Sequence, residues 1–231
     1  ADGGGTFVQE VLTGIESTRA GAEIGIEAQV TPTIKLKGAA SMAQYVYTNN
    51  PNQYFTSDDF EGPKSLGDGT TKMKNLHIAG GPENAFQLGF EYRDPNFWWF
   101  GVTSNYFSNA YIDVSSLRRN DNFATDTDNL GFNDYDAATA RELLQQEQFN
   151  DYTLVNVVGG KSWRVDNYYV GFFATINNVF DQRYKTGGFE DSRIADYRGM
   201  VEESNRDTPV FGNRYFFGNG TTYYLNLYVR F

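Results

Sequence analysis

Apolar and polar positions alternate with period two along most of the chain. The pattern is clearest from Gly220 onward. There Thr221, Tyr223, Leu225, Leu227, Val229 and Phe231 form one face, and Thr222, Tyr224, Asn226, Tyr228 and Arg230 the other. A strand sends successive side chains to opposite sides, so this segment is apolar on one side and polar on the other. Six more stretches read the same way. The first, 7–30, ends with Ala22, Ile24, Ile26, Ala28 and Val30 alternating with Glu23, Gly25, Glu27 and Gln29. The second, 34–48, sets Ile34, Leu36, Ala40 and Met42 against Lys35, Lys37, Ser41 and Ala43. The third ends on Phe86, Leu88, Phe90 and Tyr92. The fourth runs from Phe97 to about Ile112, with Trp98, Phe100 and Val102 opposite Thr103, Asn105 and Asn109. The fifth, 152–164, alternates weakly between Val155 and Gly160, which a β-bulge would explain. The sixth, 168–184, carries Val170, Phe172, Ala174, Ile176 and Phe180 on one face, and the seventh is 214–231.

The connections alternate too. They are short at 31–33, 94–96 and 165–167, and long and polar at 49–73, 113–148 and 185–213. A short helix over 137–148, capped by Asp136, interrupts the longest of them. The polar faces of the first two strands are both odd-numbered, so a three-residue turn sets Glu27 opposite Lys37. Opposed residues of an antiparallel pair share a face, which predicts a carboxylate–ammonium ladder there.

An apolar strand face meets either a protein core or lipid, and the connections point to lipid. Outer-membrane barrels have short periplasmic turns and long external loops. Aromatic residues gather beside the short turns: Tyr92, Phe97 to Phe100, Trp163, Tyr168, Tyr169 and Phe231. They would form a girdle at one membrane interface. Seven strands is an odd count, whereas single-chain bacterial barrels have even counts, and an open sheet in lipid leaves two unpaired edges. The expected fold is therefore all-β: an antiparallel transmembrane β-barrel segment, the C-terminal part of a larger barrel, spanning 1–231 with no plug domain.

Composition narrows the function. The net charge of −10 excludes the basic face that a nucleic-acid partner needs. With no Cys and a single His, His77, neither a thiolate metal site nor a Cys nucleophile is available. No Gly-x-Ser-x-Gly elbow occurs, so no enzyme is expected. No apolar run reaches the roughly 18 residues of a membrane helix, but a spanning strand needs only about 9–11.

Residues 176–184, Ile-Asn-Asn-Val-Phe-Asp-Gln-Arg-Tyr, resemble the end of the penultimate strand in TonB-dependent outer-membrane transporters. The terminal Phe231 fits the same family. The segments Lys185-Thr-Gly-Gly-Phe-Glu190, Pro209 to Tyr215 and Gly220 to Tyr224 are similar to its Bacteroidetes, SusC-like branch. The stretches 17–29, 105–119 and 160–163 fit that pattern as well. The resemblance implies about seven strands of a barrel of roughly 22, with a plug in the lumen. It implies import of a bulky scarce nutrient, such as a metal chelate, glycan or peptide. TonB would drive this import through the plug, with a surface lipoprotein as a further partner, in the outer membrane among lipopolysaccharide. Tyr223, Leu225, Leu227, Val229 and Phe231 would serve as the C-terminal barrel-assembly signal.

Several residues stand out as site candidates. Tyr45, Tyr47, Asn105 and Tyr111, on the polar face near the long loops, would line a ligand vestibule or pack against plug and loops. Arg118 and Arg119 would meet an anionic ligand or lipopolysaccharide phosphate, or pair with the nearby Asp cluster. Asp126-x-Asp128 with Gly131 is similar to the start of an EF-hand, yet Leu130 and Ala137 occupy ligand positions. A loose Ca²⁺ site over 121–136 remains beside a solvated loop; no other cofactor is expected. Gly218-Asn-Gly220 reads as a turn into the last strand. The competing functions are a transporter segment, a structural piece of a larger outer-membrane assembly without transport, and a soluble carbohydrate-binding sandwich. The mean hydropathy of −0.53 keeps the third open.

Overall fold

The computed structural model describes residues 7–125 and 130–231. In chain order the elements are β1 (Gln9–Thr13), β2 (Ser17–Gln29), β3 (Ile34–Tyr47), β4 (Asn52–Thr56), β5 (Asn84–Arg93) and β6 (Trp98–Ser108). Then come α1 (Ala137–Leu143), β7 (Tyr152–Val165), β8 (Tyr168–Asn177), β9 (Lys185–Phe189), α2 (Tyr197–Ser204), β10 (Arg214–Phe217) and β11 (Thr222–Arg230). Seven strands form one antiparallel sheet in the order β2-β3-β5-β6-β7-β8-β11. The all-β antiparallel class expected from the alternation is what the chain adopts. The strands β1 with β4, and β9 with β10, make two small two-stranded sheets outside the main one.

Local chemistry fixes the three short turns. Thr31 Oγ1 accepts from the Ile34 N–H at 3.0 Å. Asp94 Oδ1 accepts from the Asn96 N–H at 2.7 Å, an Asx turn. Asp166 adopts φ +51°, the left-handed conformation that a two-residue hairpin demands and that Asp tolerates. The first turn sets the register as expected, with Glu27 opposite Lys37. The ladder then runs across three strands. Lys35 Nζ meets Glu27 at 2.6 Å, Lys37 Nζ meets Glu27 at 3.8 Å and Glu91 at 3.1 Å, and Arg93 Nε meets Glu91 at 2.5 Å.

The sheet has no core of its own. Its apolar face carries Ile24, Ile26, Leu88, Leu225 and Leu227, which are 73%, 71%, 72%, 63% and 75% exposed. The buried apolar residues lie elsewhere. Phe123, Phe132, Ala140, Tyr197 and Met200 form one cluster, and Ala110, Ile112 and Phe149 a second. Each of these residues belongs to the long connections. Among the described residues no helix is long and apolar enough to cross a membrane. Helix length has no bearing on crossing by strands.

Four expectations need correction. The first stretch is not one strand: Gly14, at φ +70°, breaks it, and β1 pairs with β4 instead of extending β2. The helix of 137–148 stops at Leu143, and beyond it the Gln146 side chain bonds the backbone of His77. Asp136 caps it as expected, accepting from the Thr139 N–H at 2.8 Å. No bulge interrupts the fifth strand; β7 keeps one register against both β6 and β8. Its alternation is weak because Leu154 and Val158 share the polar side with Asn156, so both faces hold apolar residues. The seventh stretch splits at Gly218 to Thr221, and Arg214–Phe217 pairs with β9.

On the polar face Tyr228 lies across Gly171. A β-carbon there would stand 2.6 Å from the Tyr228 ring and hydroxyl and 2.7 Å from the Lys161 carbonyl oxygen. Gly171→Ala should therefore destabilise the sheet at β7, β8 and β11 by about 1–3 kcal/mol, the usual cost of overpacking. Denaturant unfolding in detergent, followed by tryptophan fluorescence, checks this. An unchanged midpoint would mean that Tyr228 moves aside freely.

Candidate functional site

The long connections fold over one end of the sheet into a cap, and the sequence-predicted site residues divide between sheet and cap. The Arg119 guanidinium is 3% exposed and donates to both carboxylate oxygens of Glu190, to one of them at 2.7 Å. It also donates to the carbonyls of Ser115 and Leu144, each at 3.0 Å. The Ser115 N–H donates to Glu190 at 2.8 Å. A buried ion pair offsets its desolvation only when its remaining donors and lone pairs are also met, as they are here. Its carboxylate comes from Glu190, in the connection after β9, and not from the acidic cluster nearer in sequence. Arg118 is 6% exposed and donates to the Asp191 carbonyl. Among the described residues its Nε has no hydrogen-bond partner, and burial pulls its pKa below the ordinary arginine value.

A second ionic group ties β9 and β10 to the segment after α1. Glu147 accepts from Lys185 Nζ at 2.6 Å, from the Tyr215 hydroxyl at 2.7 Å and from Asn213 Nδ2 at 3.1 Å. Lys185 Nζ lies 3.5 Å from the centre of the Tyr215 ring. Burial and the Glu147 carboxylate push the Tyr215 hydroxyl up to about 12. Asp191 is held by Arg193, whose Nε donates at 3.0 Å. That hydrogen bond pulls the Asp191 carboxyl down to about 2.

Tyr45, Tyr47 and Tyr111 converge on the segment 75–83. The Tyr45 N–H donates to Glu83 Oε1 at 2.7 Å, and the Tyr47 N–H to the Leu76 carbonyl at 3.0 Å. Tyr111 stacks on His77, with centroids 3.7 Å apart and planes 10° apart. His77 Nδ1 lies 2.9 Å from Glu83, which is 4% exposed. Asn105 stands apart in the middle of the polar face, accepting from Gln87 Nε2 at 2.9 Å. The expected Ca²⁺ site rests on Asp126 and Asp128, which lie outside the described residues. Of its flanking acids, Asp121 meets Lys72 at 2.5 Å and Asp134 meets Arg198 at 3.1 Å. Among the described residues no group of three or more His or acidic side chains is placed to hold a metal ion.

Sequence reasoning did not find Glu190, Asp191, Glu203 or Glu147. The available signal was the pair Glu190-Asp191 directly after Gly-Gly-Phe, two acids at the end of a short strand. The motif in 176–184 has a structural role here. Asn178, 4% exposed, accepts from the Gln182 N–H at 2.8 Å and donates to the carbonyls of Gln182 and Asn219 at 2.9 and 3.1 Å. Asp181 accepts from the Thr221 N–H at 2.9 Å. Together they clamp the end of β8 to the start of β11. Gly220 fits beneath Asp181, whose Oδ1 would lie 2.4 Å from a β-carbon there. The residues Gly218-Asn-Gly220, read as a turn, form an irregular link between β10 and β11 instead.

Fold and site define a seven-stranded antiparallel sheet, apolar and uncovered on one face, with a polar-pinned cap at one end. No protein-family model matches the chain. No curated protein matches it either. Among solved structures it is similar to the ferric-catecholate import receptor Fiu from E. coli K12, in its closed form, at 16% identity and a TM-score of 0.47. The match covers 97% of this chain and 24% of the receptor's, so the chain spans about a quarter of that structure's length.

Two predictions follow from the cap. Glu190→Ala leaves the Arg119 charge buried and unpaired, which costs about 3–5 kcal/mol. Hydrogen exchange at the Asp113 and Phe149 amides should speed up by about two to four powers of ten, while β3 and β5 keep their protection. Unaltered exchange in the cap would mean the pair contributes nothing. The second concerns acid. Asp191 has a depressed folded pKa, so its contribution is complete above the ordinary value of 3.8 and is lost as pH falls toward about 2. Near-UV circular dichroism should report loosening of the cap within that window, and Asp191→Asn should remove this component.

Proposed function

We propose that this chain is part of the wall of an outer-membrane β-barrel, an import receptor of the TonB-dependent type. One observation carries the reading: one face of the sheet presents Ile24, Ile26, Leu88, Leu225 and Leu227, which no described part of the chain covers. Water would penalise such a face at about 25 cal/mol for each Å² exposed, whereas acyl chains accept it. The opposite face holds the Glu27–Lys37–Glu91 ladder, Gln87 and Asn105, and suits a wet lumen. In this reading the short turns face the periplasm and the cap faces outward.

About seven of roughly 22 strands come from this stretch, and further strands and a plug complete the barrel. TonB acts through that plug. The cargo is a bulky scarce nutrient, a metal chelate, glycan or peptide. The narrower assignment to the Bacteroidetes, SusC-like branch, with a surface lipoprotein over the cap, is supported by the segments 185–190, 209–215 and 220–224 alone. Tyr223, Leu225, Leu227, Val229 and Phe231 serve as the assembly signal. Tyr45, Tyr47 and Tyr111 contribute to the vestibule floor.

The chain has no Cys, which makes cysteine scanning clean. Spin labels at Ile24→Cys, Leu225→Cys and Leu227→Cys should collide with oxygen dissolved in the bilayer. Labels at Glu23→Cys and Asn226→Cys should collide with a water-soluble nickel chelate. Loss of this period-two contrast would exclude the barrel. Unimpaired TonB-dependent uptake by cells lacking this chain would assign it to a structural role instead.

A further inference from the structure

Asn219-Gly220 is the only Asn-Gly pair in the sequence. It lies in the link between β10 and β11, and both residues are exposed. Asn219 is held there by its backbone, whose carbonyl accepts from Asn178 Nδ2 at 3.1 Å. Among the described residues its side-chain amide makes no hydrogen bond, and neither does the Gly220 N–H. The Asp181 carboxylate stands beside them. Its Oδ1 accepts from the Thr221 N–H at 2.9 Å and leaves no room for a β-carbon at position 220.

The amide nitrogen that follows an asparagine can attack the asparagine's own side-chain carbonyl carbon. A β-carbon on the following residue crowds that approach, and glycine removes the obstacle and leaves the backbone free to turn. Here the glycine is demanded by something else, the close seat of Asp181. The contact that clamps β8 to β11 therefore creates the one pair in the chain best suited to this reaction, and it leaves the asparagine amide untethered in solvent.

We propose that Asn219 is a self-modification site, and that its deamidation loosens the clamp between β8 and β11. The Gly220 nitrogen gives up its proton and bonds to Asn219 Cγ. The Cγ–Nδ2 bond breaks, and ammonia leaves with that proton, which closes a five-membered succinimide. Water then opens the ring. Attack at Cγ breaks its bond to the Gly220 nitrogen and gives aspartate. Attack at the backbone carbonyl carbon gives isoaspartate, in which the chain runs through Cβ and Cγ. In isoaspartate the carbonyl held by Asn178 becomes a free carboxylate outside the main chain. Either product puts a new negative charge into the link that Asp181 holds, and like charges repel. The start of β11 is sensitive to this, because β8 is its only neighbour in the sheet. The reaction needs only this local stretch, so it stands or falls separately from what surrounds the sheet.

The test holds the intact folded protein in detergent at mildly alkaline pH and follows its peptides by mass spectrometry. The mass gain of amide-to-acid conversion should accumulate at Asn219 at least tenfold faster than at Asn96 and Asn205, which are also exposed but precede Phe97 and Arg206. An isoaspartate-specific methyltransferase should label the same peptide. In the converted protein, hydrogen exchange at the Thr221 amide should speed up by tenfold or more, while β3 and β5 keep their protection. Asn219→Gln, whose longer side chain closes such a ring slowly, should keep the original exchange pattern through the same incubation. Conversion at Asn219 no faster than at Asn96 and Asn205, or unaltered exchange at Thr221 after conversion, would overturn the proposal.

Discussion

The structure depends on where its apolar surface goes. A seven-stranded sheet with Ile24, Leu88 and Leu227 uncovered cannot be stable in water by its own packing. Its hydrogen-bond ladder is satisfied within the sheet, except along β2 and β11, which have neighbours on one side only. Those two edges demand further strands, and the apolar face demands a non-aqueous surrounding. The proposed closed wall in lipid would meet both demands.

The cap follows a different rule. Its small clusters around Phe123, Tyr197 and Ile112 are buried in the ordinary way, but charge fixes their relative positions. Arg119 with Glu190, and Glu147 with Lys185 and Tyr215, link segments far apart in sequence. Such pairs specify geometry more than they add stability, because each partner has been taken from water. A cap held this way is stiff at its ion pairs.

Much of the sheet was legible in the sequence because a strand writes its period onto every residue. The turn Thr31-Pro32-Thr33 and the parity of Glu27 and Lys37 sufficed to give the register. The bulge inferred in β7 was wrong because Leu154 and Val158 on the polar side blur the alternation without shifting the pairing. The cap was far less legible. Arg118 and Arg119 were visible as chemistry, but Glu190 lies 71 residues from Arg119, and nothing local announces such a partner. The helix α2 was hidden in a polar stretch, since few of its residues are apolar and only Tyr197, Met200 and Glu203 of it are buried.

The central claim is that the sheet's apolar face touches acyl chains while the protein's core lies in the cap. Magnetisation transfer from lipid acyl protons to labelled isoleucine and leucine methyls in a reconstituted bilayer tests it most directly. Strong transfer to Ile24, Leu88 and Leu227, and none to Ile112, is the expected result. Contacts from Ile24, Leu88 and Leu227 only to other protein methyls, with no lipid transfer, would contradict it.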